Sequence, residues 1–468
     1  MRPSNKRRPA VQNNPKKAAN CAGSDLPPDS PGRLPRVFAG LFGAFLGLSL
    51  LKFGNPPIME KWVTLPENGY EFLLGYPWPM TWAFLLLAIV TIVGLFIPRT
   101  KSTVPRWLLA LPLIWFGWQL LSALQTVDSE LTKSTVRHFA ACLVCFYLGC
   151  LVLNQIQRIA RFWTGLLCGF VLVLAVGWNQ HFGGLEETRR YFFLYIYPTM
   201  KEVQPGYLQK MASNRIFATL FYPNALAGAL ILFLPLTLGL LEAARQYLTK
   251  PAKWFLQSLS AIGALGCLFW SGSKGGWLLM LFLGLLTLQR LPFNRNLKLA
   301  VATMVLVAGL AGFFWKYSGF FHKGATSVSA RFDYWHAAVQ TAKTHPVFGT
   351  GPGTFFIPYS AIKRPESEPS RLVHNDYLEQ ASDSGIPALL AYGAFIVGAL
   401  ILTFKRTARE PLAFAVWLGL LGWALQSLLE FGLYIPALAW PAFTLFGWLV
   451  ARPVPGIQNP IDSPASGD

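Results

Sequence analysis

Long apolar runs separated by short polar stretches recur along most of the chain. They lie near 37–54, 80–97, 107–124, 138–153, 162–178, 216–241, 254–270, 277–289, 297–315, 386–404, 411–428 and 434–451. Most approach the roughly 20 residues that cross a bilayer core about 30 Å thick. The pattern predicts an all-α integral membrane protein of about 12 transmembrane helices. The run at 37–54 has no clear small-residue cleavage site and many more follow it, so it reads as an uncleaved first helix and not as a signal peptide.

Charge gives this pattern a direction. The connections carrying Arg99, Lys101 and Arg106; Arg158 and Arg161; Arg245, Lys250 and Lys253; Arg290, Arg295 and Lys298; and Lys405, Arg406 and Arg409 fall on alternate sides, and Arg452 follows the last run. Excess Lys and Arg marks the cytoplasmic side. With the basic, proline-rich stretch 1–36 taken as a disordered cytoplasmic tail, both termini are expected in the cytoplasm. The expected domains are helices 1–9 over 37–315, a large loop over 316–385, helices 10–12 over 386–452 and a tail over 453–468. The two long connections, 179–215 and 316–385, then fall on the opposite face.

Composition agrees: 53% of residues are hydrophobic and only 13% charged, where soluble domains carry about a quarter charged. The net charge of +19 does not point to nucleic acid, because most of the basic residues sit where they orient helices. Of the six cysteines, Cys21 lies in the tail; Cys142, Cys145, Cys150, Cys168 and Cys267 lie in or beside apolar runs and read as small apolar side chains, without a disulfide framework. No internal repeat is evident.

Candidate chemistry gathers outside the runs. Arg215, Lys274 and Arg331 stand where the orienting rule disfavours positive charge. Lys274 lies in "SGSKGGW", whose serines and glycines suit a helix N-terminus that faces an anion. Residues 331–343 have apolar positions at 332, 335, 338 and 339, the spacing of a surface helix. "HPVFGTGPGTF" reads as a turn and not as a nucleotide phosphate loop, since proline interrupts its glycines and no strand precedes it. His374 adjoins Asn375 and Asp376 where the last long loop meets an apolar run, a setting in which neutral imidazole takes a proton from an attacking hydroxyl. No metal-ligand cluster or cofactor motif is visible. The residues alone support an anion-handling membrane protein. A small-anion permease is the alternative, which the near absence of ionisable groups inside the runs disfavours: Gln119 and Gln426 are the main polar residues there, and Glu430 lies near a run's outer end.

Four stretches resemble the O-antigen ligase and polymerase family: "NRIFATLFYPNALAG" at 214–228, "SGSKGGWLLML" at 271–281, "RFDYWHAAVQTAKTHPVFGTGPGTF" at 331–355 and "HNDYLEQASDSGIPALLAY" at 374–392. The resemblance spans roughly residues 200 to 450. It implies a GT-C-like, inverting, metal-independent glycosyltransferase of the bacterial inner membrane with a periplasmic loop between helices 9 and 10. Its donor would be an undecaprenyl-diphosphate-linked glycan, its acceptor a hydroxyl on lipid A–core or on a growing glycan. By similarity Arg215, Lys274 and Arg331 would hold the diphosphate, His374 would be the base, and Asn224, Arg371, Asn375 and Asp376 would support them. The family commonly has arginine where this chain has Lys274. Ligase, polymerase and protein O-oligosaccharyltransferase are not separated by these motifs.

Overall fold

A computed structural model describes residues 32–452 apart from 64, 70, 76, 100–103, 200–211, 221, 323–325 and 366. The expected tails fall almost wholly outside the described residues. The first helix begins at Arg33, four residues before the apolar run.

Each of the twelve apolar runs contains a helix, the sixth only from Pro223, because a segment in an apolar medium satisfies its own N–H and C=O groups only by helical bonding. In the first half these are α1 (Arg33–Lys52), α2 (Met80–Leu95), α3 (Arg106–Ala123), α4 (Ser129–Tyr147), α5 (Ala160–Asn179), a short α6 (Leu185–Tyr191) and α7 (Pro223–Ala243). Then come α8 (Lys250–Ser271), α9 (Lys274–Leu288) and α10 (Arg295–His322), followed by two helices in the expected loop, α11 (Thr326–Thr344) and α12 (Phe356–Ile362). The chain closes with α13 (Asp376–Phe404), α14 (Pro411–Gln426) and α15 (Pro436–Val450), and no strand occurs among the described residues. Seven helical stretches, starting at Arg33, Ser129, Ala160, Pro223, Lys250, Arg295 and Asp376, are long and apolar enough to cross a membrane. α2, α9, α14 and α15 are shorter apolar helices. The chain is thus a helical multi-pass membrane protein, and the count of twelve crossings reaches beyond these seven.

The centre of the bundle is α15, every residue of which is buried; it packs on α4, α1 and α14. α1 and α5 meet through Gly43 and Gly47 on one side and Gly165 and Gly169 on the other. A Cβ on Gly47 would come within 2.2 Å of the Gly165 carbonyl oxygen, so small residues four apart let the backbones touch. α10 is the opposite case: of its described side chains only Phe313 and Tyr317 are buried.

The loop helices hold a satellite core of Tyr334, Ala337, Ala338, Phe355, Tyr359 and Val373. The buried face of α11 therefore runs through 334, 337, 338 and 341, while Phe332 and Val339 of the expected apolar face are exposed. α11 packs against α13 as well as against α12, so burial follows those partners and not a flat surface. The glycine turn that follows is a wedge between helices. Gly349, Gly351 and Gly353 all have positive φ, and the backbone N–H groups of Gly351 and Gly353 donate to the carbonyl and the carboxylate of Asp383, each at 2.7 Å.

α13 starts ten residues before its apolar run and breaks at Gly385, φ 82° and ψ 172°. The added segment buries Asp376, Glu379, Gln380 and Asp383 completely. Gln380 accepts hydrogen bonds from Trp115 (2.7 Å) and Gln119 (2.8 Å) of α3 and donates to the Tyr434 hydroxyl (2.9 Å). The interior is thus more polar than the pattern of runs indicates.

Candidate functional site

The site forms where α7, α9 and α13 begin and α8 and α14 end. Arg215, Asn224, Lys274 and His374 reach it from helix boundaries, and Arg331 from the second turn of α11.

Glu430, in the link between α14 and α15, is the hub. One carboxylate oxygen accepts from the guanidinium of Arg331 and from Asn224 Nδ2 (2.6 Å). The other accepts from the Tyr222 hydroxyl (2.5 Å) and from His374 Nδ1 (3.1 Å). A carboxylate offers about four acceptor positions, and all are taken. Burial pushes the Glu430 pKa up, but the hydrogen bond and charge of His374, the charge of Arg331 and the Tyr222 hydroxyl outweigh it and hold the group at about 2. Glu430 is therefore a carboxylate at neutral pH.

That fixes the histidine. A carboxylate only accepts, so Nδ1 of His374 carries the proton, and in the neutral ring Nε2 keeps its lone pair. Nε2 has no hydrogen-bond partner among the described residues. The ring stacks on Tyr334 (5.6 Å between centroids, 26°) and meets the edge of Phe431 (4.8 Å, 75°). His374 has φ 55°, a left-handed backbone that non-glycine residues rarely adopt, and Trp335 Nε1 donates to its carbonyl at 3.4 Å.

Arg215 precedes α7 in a segment without regular secondary structure. Its Nε donates to the Ser271 carbonyl (2.7 Å) and its Nη2 to Asn224 Oδ1 (2.9 Å), while Nη1 has no partner among the described residues. Asn224 thus bridges Arg215 and Glu430 with its two amide atoms. Burial lowers the Arg215 pKa, with Glu430 pulling the other way; a guanidinium stays charged regardless. The "SGSKGG" turn wraps this arginine. Gly272 caps α8 with φ 61°, and a Cβ there would stand 3.2 Å from Arg215 Nε. Ser273 caps α9 by accepting from the Gly276 N–H at 3.3 Å, so one of the expected anion-facing N–H groups is used internally. Lys274 lies within electrostatic reach of Arg215 and Arg331, its Nζ 5.3 Å above the Tyr317 ring.

The structure thus gathers Arg215, Asn224, Lys274, Arg331 and His374. Arg331 differs from the expectation of an open cation: Nε donates to the Leu429 carbonyl (3.0 Å), Nη1 to that of Ser327 (2.9 Å) and Nη2 to Glu430. Three supporting residues point elsewhere. Arg371 lies over the rings of Trp62 (4.4 Å) and Phe356 (5.0 Å). Asn375 caps α13, accepting from the N–H groups of Tyr377 and Leu378. Asp376 turns inward to accept from the Leu433 N–H at 2.8 Å. His138, whose sequence neighbours offer nothing comparable to the Asn–Asp pair beside His374, donates from Nε2 to the Leu433 carbonyl at 2.7 Å and so helps pin the segment behind Glu430. Glu430 and Tyr222 were not anticipated in the site; an acid between two apolar runs was the available signal. Among the described residues no group of His, Cys, Asp and Glu is arranged to hold a metal ion.

Residues 259–393 match the family model described as O-antigen ligase. The match contains Lys274, Arg331 and His374 and leaves out Arg215, Asn224 and Glu430. It supports a membrane enzyme of ligase or polymerase type. No curated protein matches the chain.

Proposed function

We propose that this protein is a membrane glycosyltransferase that moves a glycan from an undecaprenyl-diphosphate carrier to an acceptor hydroxyl at the periplasmic face of the bacterial inner membrane. The observation that carries this reading is the His374–Glu430 pair, with Nε2 of the imidazole open, inside a cluster that also holds Arg215 and Lys274.

In the reaction, His374 Nε2 takes the proton of the acceptor hydroxyl as its oxygen attacks the anomeric carbon. The bond from that carbon to the carrier diphosphate breaks, and the diphosphate leaves with the electron pair. Attack from the face opposite the leaving group inverts the centre. Arg215, through Nη1, and Lys274 stabilise the charge that grows on the departing phosphate. Glu430 keeps the imidazole in its Nδ1–H tautomer and stabilises the imidazolium that forms, as a carboxylate does behind a catalytic histidine. Arg331 acts through Glu430 by holding the carboxylate in place. In this topology the loop 316–385 is periplasmic and the tails 1–36 and 453–468 are cytoplasmic. The acceptor is lipid A–core for a ligase or a second carrier-linked chain for a polymerase.

The test uses membranes containing the native chain or His374→Ala, a radiolabelled undecaprenyl-diphosphate oligosaccharide and purified lipid A–core. One product on the core, absent with the variant, identifies a ligase; a ladder formed without the core identifies a polymerase. If correctly inserted native protein releases no lipid diphosphate, the reading is wrong.

A further inference from the structure

α10 stands at the edge of the bundle with Leu297, Leu299, Met304, Val307, Phe314 and Trp315 exposed. It is tied to α9 by the hydrogen bond from Trp277 Nε1 to the Gly309 carbonyl (3.1 Å). Only one turn of its described surface is buried, and that turn ends in Tyr317, which is 6% exposed. The Tyr317 hydroxyl is buried and has no hydrogen-bond partner among the described residues. Burying such a group unpaired is unfavourable, and phenylalanine would fill the same space without that cost. The surroundings are specific. Lys274 Nζ lies 5.3 Å from the centre of the ring, and the hydroxyl is within electrostatic reach of Arg215. An O–H donor held among cations, with nothing among the described residues to donate to, fits an oxyanion.

We propose that Tyr317 is a substrate-binding residue whose hydroxyl donates a hydrogen bond to a phosphate oxygen of the lipid diphosphate, beside Arg215 and Lys274. This rests on the donor reading above. It adds a neutral donor from an otherwise peripheral helix, so that α10 closes one side of the diphosphate site. The hydroxyl is satisfied only when the anion is bound, which makes removal of its oxygen harmless to the empty protein and harmful to binding.

The experiment measures equilibrium binding of labelled undecaprenyl diphosphate and, separately, of labelled inorganic pyrophosphate to the detergent-purified full chain, for native protein, Tyr317→Phe and Arg215→Ala. Thermal unfolding without ligand is followed in parallel. Tyr317→Phe is expected to bind about ten- to a hundredfold more weakly, the range for a hydrogen bond to a charged group, with an unfolding midpoint equal to or above the native one. Native affinity in Tyr317→Phe overturns the inference while leaving the donor reading intact. A clear drop in its midpoint without ligand also overturns it, because the hydroxyl would then already be paired. If pyrophosphate binds but the lipid does not, and Tyr317→Phe still weakens it, the oxyanion contact stands and the lipid is removed as its source. Native protein that binds neither anion overturns the donor reading, and this inference with it.

Discussion

Glu430 Oε2 lies 3.1 Å from Nδ1 of His374, across 56 residues of chain, and the same oxygen takes the Tyr222 hydroxyl at 2.5 Å. The imidazole is therefore aimed by a group from another link of the bundle. Glu430→Gln keeps the shape and removes the charge that orients and stabilises the ring. Transfer should fall by about 10²-fold or more, the scale of a general-base contribution, while affinity for the lipid diphosphate changes far less. Full turnover in this variant would remove Glu430 from the mechanism.

Acid should dismantle the same hub. The Glu430 pKa is lowered from 4.5 to about 2, so its stabilisation is complete above 4.5 and is lost as pH falls through about 2. The unfolding midpoint of the native protein is expected to drop below about pH 4.5 with a component that Glu430→Gln lacks. Parallel melting curves at descending pH give the comparison, and identical acid profiles would contradict it.

Asn224 can be probed by changing one atom. Its Nδ2 donates to Glu430 at 2.6 Å and its Oδ1 accepts from Arg215 at 2.9 Å. Asn224→Asp keeps the second bond and sets two carboxylates against each other. It should be worse than Asn224→Ala in both yield and activity, since like charges at this distance repel where a gap merely leaves a bond unmade. Equal behaviour of the two variants would mean that the bridge is not formed.

Lys274 supplies charge without a fixed fork. Lys274→Arg is expected to retain activity within about tenfold and Lys274→Met to lose far more, because guanidinium and ammonium share their charge but differ in geometry. Loss with arginine as complete as with methionine would point to tight packing around this side chain.

Gly349→Ala tests the wedge. The new Cβ would stand 2.3 Å from the carbonyl carbon of Asp383, at a backbone φ of 63°. Strain and collision together should cost about 3 kcal/mol or more. The expected result is a strongly lowered unfolding midpoint or loss of insertion; a native midpoint would show that the turn can move away from α13.

Arg215, Lys274, Arg331 and His374 were legible because each stands against its background, three as cations on the disfavoured side and one as a histidine beside polar neighbours. Asn375 and Asp376 were drawn in by adjacency alone. Consecutive residues at a helix start point in different directions, so Asn375 caps α13 while Asp376 faces Leu433. Glu430 stayed hidden for the converse reason: its four partners sit at 222, 224, 331 and 374, and no local spacing relates them. The apolar runs marked the helices well. They did not mark α11's buried face, because Tyr334 and Ala337 are hidden by α12 and α13 rather than by lipid.

The left-handed backbone of His374 has one more consequence. At φ 55° a side chain crowds its own carbonyl, a penalty of roughly 1–2 kcal/mol that glycine escapes. Glycine at 374 would relieve that strain but forfeit the bond to Glu430 and the ring contacts with Tyr334 and Phe431, so the bent backbone is held in place by the partners of its own side chain. Any effort to stabilise this protein has to hold that position fixed from the outset.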